Sequence, residues 1–148
     1  LTYADSGLVV SIYRPTEQLS LVARREIRRA PGPIFLSPLS LLEIRNAFNL
    51  SIQRGEIRET EREAVMTDIT RQMDGGFFQL AEVSQRDIYA LAHELSNRHT
   101  PILSTRSLDL MHVATALLVK ATVFLTTDAR QGKAAKAEGL KVRPRNPA

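Results

Sequence analysis

The chain has 148 residues, with 20 Lys and Arg against 16 Asp and Glu, three His, no Cys and no Trp. That length suits one globular domain burying roughly 70% of its unfolded surface, so residues 1–148 are read as a single domain. The absence of Cys excludes disulfides, thiolate nucleophiles and Cys-ligated zinc. The net charge of +4 makes polyanions candidate partners. The apolar runs are short and no basic segment precedes one, so neither a membrane span nor a signal peptide is expected and the expected location is cytoplasmic.

In chain order, Leu1 to Ala4 reads as a short strand running into Asp5-Ser6 and a helix from Leu8 to Tyr13. Pro15 separates this from a second helix, about Glu17 to Arg29, before Pro31-Gly32-Pro33. Ile34 to Leu36 is an apolar run feeding a helix through Ser37-Pro38, a favoured cap and first-turn pair. That helix carries Leu39, Leu42, Ala47, Phe48 and Leu50 on its expected apolar side. A charged helix from about Arg58 to Met73 follows, ended by Gly75-Gly76, and the two are expected to form a hairpin. Phe77 to Val83 reads as a third strand. Ser84 is expected to cap a helix to about Asn97, and Ser107 another from Leu108 to Lys120. Thr122 to Leu125 is a fourth strand, Ala129 to Ala137 a short helix closed by Gly139, and Leu140 to Val142 a last strand. Strands separated by helices imply an α/β fold, with helices on both faces of a central parallel sheet.

In such a sheet each strand's carboxyl end opens into a helix N-terminus, and ligands collect there, where the strand order reverses. Asp5 ends the first strand and Asp128 follows the fourth. The helix from Leu108 must carry the chain back to the opposite edge, so its first turn, with Asp109, belongs on the same rim. Glu43 lies six positions after Ser37, about 9 Å along its helix, and a side chain leaning toward the helix N-terminus reaches the rim. Each acid also has an ordinary reading: Asp128 as a helix cap, Asp109 as an early-turn acid favoured by the helix dipole, Asp5 as a turn acid. Glu43 is harder to dismiss, because it sits among Leu41, Leu42 and Ile44, and Arg45, two positions away, does not face it. Four converging carboxylates repel one another, and a divalent cation resolves the conflict. Oxygen-only ligands favour Mg²⁺ or Mn²⁺, ions suited to phosphoryl chemistry. With a basic chain, that combination points to hydrolysis of a nucleic-acid phosphodiester.

Four stretches carry a family resemblance: Tyr3-Ala4-Asp5-Ser6-Gly7-Leu8-Val9, Leu42-Glu43-Ile44-Arg45-Asn46-Ala47, Leu108 to Ala116, and Phe124-Leu125-Thr126-Thr127-Asp128-Ala129-Arg130-Gln131. In this order they resemble the PIN-domain nucleases, in particular the VapC-type toxins of toxin–antitoxin pairs, over essentially the whole chain. The resemblance implies a three-layer α/β/α sandwich and a metal-dependent endoribonuclease with Asp5, Glu43, Asp109 and Asp128 as its acidic quartet. It makes Asp5 and Asp109 the principal metal ligands. Glu43 would bind directly or through water, and Asp128 would support a second ion or orient water. Thr126 and Ser6 would assist. The reaction implied is attack of metal-activated water on RNA, leaving a 5′-phosphate and a 3′-hydroxyl. The resemblance also implies a homodimer silenced by a cognate antitoxin.

Arg14, Arg45, Arg106 and Arg130 lie in or beside the segments that reach the rim and are candidates for substrate phosphate, with surface ion pairs as the competing reading. The run Arg24 to Arg29 is read as a solvated helix face rather than an RNA contact. His112, three residues after Asp109, reads as a packed helix histidine, with a hydrogen bond to the acidic site as the alternative. His93 and His99 are given no metal role. The competing function is a catalytically inactive PIN-like RNA-binding or assembly module. A phospho-acceptor receiver domain is disfavoured, since the chain lacks an early acid pair and has Thr126-Thr127-Asp128 where a late Lys is required.

Overall fold

The computed structural model describes residues 1–14 and 18–145, so the expected break at Pro15 and the expected helix start at Glu17 lie outside the described residues. Five three-residue strands, β1 (Thr2–Ala4), β2 (Ile34–Leu36), β3 (Phe78–Leu80), β4 (Val123–Leu125) and β5 (Lys141–Arg143), form one sheet in the order β3-β2-β1-β4-β5. Every pairing is parallel, with Thr2 opposite both Ile34 and Val123 at the centre. Seven helices are described: α1 (Ser6–Ile12), α2 (Gln18–Arg29), α3 (Pro38–Gln53), α4 (Glu59–Asp74), α5 (Gln85–Leu103), α6 (Ser107–Leu118) and α7 (Ala129–Ala137).

Alternate residues of the central strands serve opposite faces, as the two-residue period of a strand requires. Ala4, Val123 and Leu125 pack with Leu8, Val9, Ile44 and Phe48 from the layer of α1 to α4. Tyr3 and Phe124, whose rings stack 5.6 Å apart, join Leu95, Val113 and Ala134 from the layer of α5 to α7. The expected α/β/α sandwich is thus present, with its central strands buried on both sides. The strand order reverses at β1, flanked by β2 on one side and β4 on the other, so the crevice beyond the carboxyl ends of β1 and β4 is the place for a site.

Several boundaries differ from the sequence expectation. The inward face of α3 is Ser40, Ile44, Phe48 and Ser51, while Leu42 and Leu50, assigned to the apolar side, are 64% and 45% exposed. Apolar residues occupy more than one side of this helix, and periodicity alone does not choose which side meets the sheet. The third strand is confined to Phe78–Leu80 rather than running to Val83. Helix α5 runs past Asn97 and through Pro101 to Leu103, because Leu95, His99 and Leu103 continue one inward stripe at four-residue spacing. It stops at Ser104, whose N–H closes the last helical bond to the Thr100 carbonyl and whose φ of 53° then turns the chain out of the helix. Ser84 makes no side-chain cap, and Ser107 is the first residue of α6 rather than its cap. The Arg106 N–H at that end is bonded instead by the Asp109 carboxylate.

Candidate active site

Asp5 and Asp128 are fixed by the strand-to-helix turns that deliver them, and Asp109 by the first turn of α6, which the chain enters from α5. Asp5 follows β1 and its backbone N–H extends the β1–β4 ladder to the Leu125 carbonyl (3.0 Å). Its side chain caps α1, with Oδ1 accepting from Leu8 N–H at 2.8 Å and Oδ2 from the Thr126 hydroxyl at 2.5 Å. Asp128 caps α7, Oδ1 accepting from Gln131 N–H at 2.9 Å. Asp109 accepts from Arg106 N–H through Oδ2 (3.0 Å) and from the Gln131 side-chain amide through Oδ1 (3.1 Å). The ordinary reading of each aspartate is therefore realised, and it is also what aims the acid at the rim: the orphan amides of a helix N-terminus attract carboxylates.

These bonds join the three aspartates. Thr126, fully buried, donates to Asp5 and accepts from the Asp128 backbone N–H (2.9 Å), and Gln131 links Asp128 to Asp109. Burial pushes the Asp5 carboxyl up to about 6; the Thr126 bond, the nearby His112 and the Leu8 N–H oppose the rise, and the like charge of Asp128 adds to it. A carboxyl only 3% exposed that is strained toward its neutral form is one that a cation would stabilise.

Glu43 is held differently. Ser6 Oγ donates to its Oε1 at 3.2 Å, and His112 Nε2 lies 2.5 Å from the same oxygen. On the far side of the ring, His112 Nδ1 is 2.6 Å from the Tyr3 hydroxyl, which also bonds Ser37 and Ser40. A carboxylate only accepts, so Nε2 carries the proton toward Glu43 and Nδ1 is left to the phenol. Burial holds the Tyr3 phenol far above its ordinary range, so its proton stays on. His112 is both readings at once: a packed core histidine, 2% exposed, and a hydrogen-bond partner of the acidic site. Its three-residue spacing from Asp109 was the available signal. Tyr3 and Gln131 stand inside the resembling stretches, but nothing in the sequence pattern gives either of them a role.

The four arginines separate into two pairs. Arg14 bonds Ser51 (3.1 Å) and lies over the Phe48 ring, and Arg45 pairs with Glu63 at 3.8 Å. Arg106 and Arg130 are exposed, and neither side chain has a partner among the described residues. Away from the rim, His99 and Arg98 bind Glu138 at 2.7 and 2.8 Å, tying α5 to the end of α7.

Among the described residues, no three acids or histidines stand close enough together to hold a metal ion as they are. Two features nevertheless fit the rim to a hard cation. All the candidate donors are carboxylate or hydroxyl oxygens, with Glu43 Oε2 and Asp128 Oδ2 left without partners among the described residues. The side of Asp5 toward Gly7 bears no side chain at that position, where a Cβ would stand 3.9 and 4.0 Å from the two Asp5 oxygens.

In a parallel α/β sandwich, ligands bind in the crevice beyond the carboxyl ends of the strands, at the strand-order reversal where these acids stand. A family model for the PIN domain matches residues 2–137, and the chain belongs to the PIN-domain family. Its fold is similar to that of the toxin VapC20 of Mycobacterium tuberculosis, described as a sarcin-ricin loop cleaving toxin. The TM-score is 0.71 at 17% identity, covering 97% of this chain and 100% of VapC20. No curated protein matches by sequence.

Proposed function

We propose that the protein is a divalent-metal-dependent endoribonuclease, the toxin of a toxin–antitoxin pair. The observation that carries this reading is the linked row of Asp5, Asp128 and Asp109 at the carboxyl edge, with Glu43 presenting a free oxygen beside it. Asp5 and Asp109 are the principal ligands, Glu43 binds directly or through water, and Asp128 supports a second ion or orients water. Mg²⁺ or Mn²⁺ bound there would lower the pKa of a water and neutralise charge growing on a phosphate. Thr126 and Ser6 hold Asp5 and Glu43 in place through their hydroxyls. Arg106 and Arg130, whose side chains have no partner among the described residues, receive the phosphates of the RNA backbone. The products are a 5′-phosphate and a 3′-hydroxyl. The likeness to VapC20, a sarcin-ricin loop cleaving toxin, supports RNA as the substrate class. A homodimer and an antitoxin that covers the acidic rim complete the proposal.

A second reading, a PIN-like RNA-binding module without catalysis, is favoured by one observation: among the described residues no acid trio is assembled to grip a metal. Cleavage-site mapping on total cellular RNA separates the two. Wild type with Mn²⁺ is expected to give discrete ends, while chelation and Asp109→Asn each remove them, by more than about a hundredfold for the ligand variant, since loss of a mere supporting partner costs 10–100-fold. Undiminished cleavage by Asp109→Asn would overturn the assignment, and RNA binding without cleavage would establish the second reading.

A further inference from the structure

Gln131 is the third residue of α7 and only 4% exposed. Its backbone N–H is bonded by Asp128 Oδ1, and its side-chain Nε2 donates to Asp109 Oδ1. The remaining atom, Oε1, is the one buried side-chain oxygen or nitrogen without a hydrogen-bond partner among the described residues. Leaving a buried amide oxygen unpaired costs about 1–3 kcal/mol. Turning the amide over does not relieve this, because Oε1 would then face the Asp109 carboxylate, acceptor against acceptor. Stability alone favours an apolar side chain of the same size in this slot.

From this we infer that Gln131 is a positioning residue for the metal site, one that fixes Asp109 relative to Asp128 at the expense of its own unpaired oxygen. The inference rests on the metal-nuclease reading and adds a residue that reading does not require. Arg106 N–H grips Asp109 Oδ2 at the entry to α6, and Gln131 grips Oδ1 from α7, so the carboxylate is held at both oxygens from two different places in the fold. Each oxygen keeps a further lone pair for a cation. The amide is neutral, so it orients the acid without the competing positive charge that Arg or Lys would bring. The same residue's N–H seats Asp128, so α7 sets both acids with one side chain and one backbone group.

The test uses Gln131→Met, which keeps the volume and removes the donor, with Gln131→Leu as a second variant should the first fold poorly. Three quantities are measured on the full chain: the melting temperature without metal, Mn²⁺ affinity by calorimetry, and kcat and KM on RNA. The expected pattern is a metal-free melting temperature at or above wild type, Mn²⁺ affinity lower by about tenfold or more, and a fall in kcat at saturating RNA. A merely structural role moves the melting temperature and leaves Mn²⁺ affinity alone. Wild-type Mn²⁺ affinity in the folded variants overturns the inference and leaves the nuclease reading intact. A wild-type protein that takes up no Mn²⁺ overturns both.

Discussion

The two sides of the acidic rim are built on different principles. Asp5, Asp109 and Asp128 each accept a backbone N–H at the start of a helix, so their places follow from where strands end and helices begin. Glu43 sits within α3, accepts no backbone donor, and depends on two side chains from distant segments, Ser6 and His112, the latter braced in turn by Tyr3. An acid held by backbone amides survives most changes around it. An acid held through a relay is only as secure as each member of the chain.

The sharpest contrast is expected at Asp5. Its folded-state carboxyl is raised from 3.8 to about 6, so in the metal-free protein its contribution to stability is complete below about pH 4. It is lost as pH rises through about 6, and amounts to about 3 kcal/mol of destabilisation at neutral pH. Asp5→Asn should therefore flatten the pH dependence of the melting temperature over this window and raise stability at pH 7 without metal, while weakening the stabilisation that Mn²⁺ gives wild type. A variant whose melting curve keeps the wild-type pH slope would place the buried charge elsewhere.

On the Glu43 side the effects run the other way. His112→Leu removes a bond to a carboxylate and leaves the Tyr3 hydroxyl with one partner fewer, a loss of about 2 kcal/mol in chemical denaturation. It should also lower RNA cleavage to the level of Glu43→Gln, and the two changes together should lower it no further. Tyr3→Phe takes away only the brace behind the imidazole and should cost about 1 kcal/mol, with a smaller fall in activity. Equal activity in wild type and His112→Leu would mean that Glu43 needs no relay.

The smallest expected change is at Gly7. It lies in the first turn of α1, where an alanine would meet only ordinary contacts, so Gly7→Ala should leave stability unchanged or raise it by about 0.5 kcal/mol. Because that methyl would stand over the Asp5 carboxylate, Mn²⁺ affinity should fall in the same variant. A gain in stability with undiminished Mn²⁺ binding would show that the cation approaches Asp5 from another side.

Asp5 and Asp128 were legible in advance because an acid just after an apolar run and just before a helix is recognisable in one dimension, and Asp109 because its helix had to start at the same edge. The relay was not, since His112 and Glu43 are 69 positions apart and their meeting depends on α3 and α6 packing against the same end of the sheet. The fate of the arginines was equally out of reach. Arg14 and Arg45 found Ser51, Phe48 and Glu63 on α3 and α4, while the Arg106 and Arg130 side chains have no partner among the described residues.

The order of strands and helices, the buried central strands and the aspartates at the turns follow from local patterning, because burial period, capping and turn chemistry act over a few neighbouring residues. Which side of α3 faces inward, how far α5 runs beyond Pro101, and the pairing of Gln131 with Asp109 were decided only by packing. Each of these is a contact between segments distant in the chain, and its energy does not exist until the sheet and its two helical layers have come together.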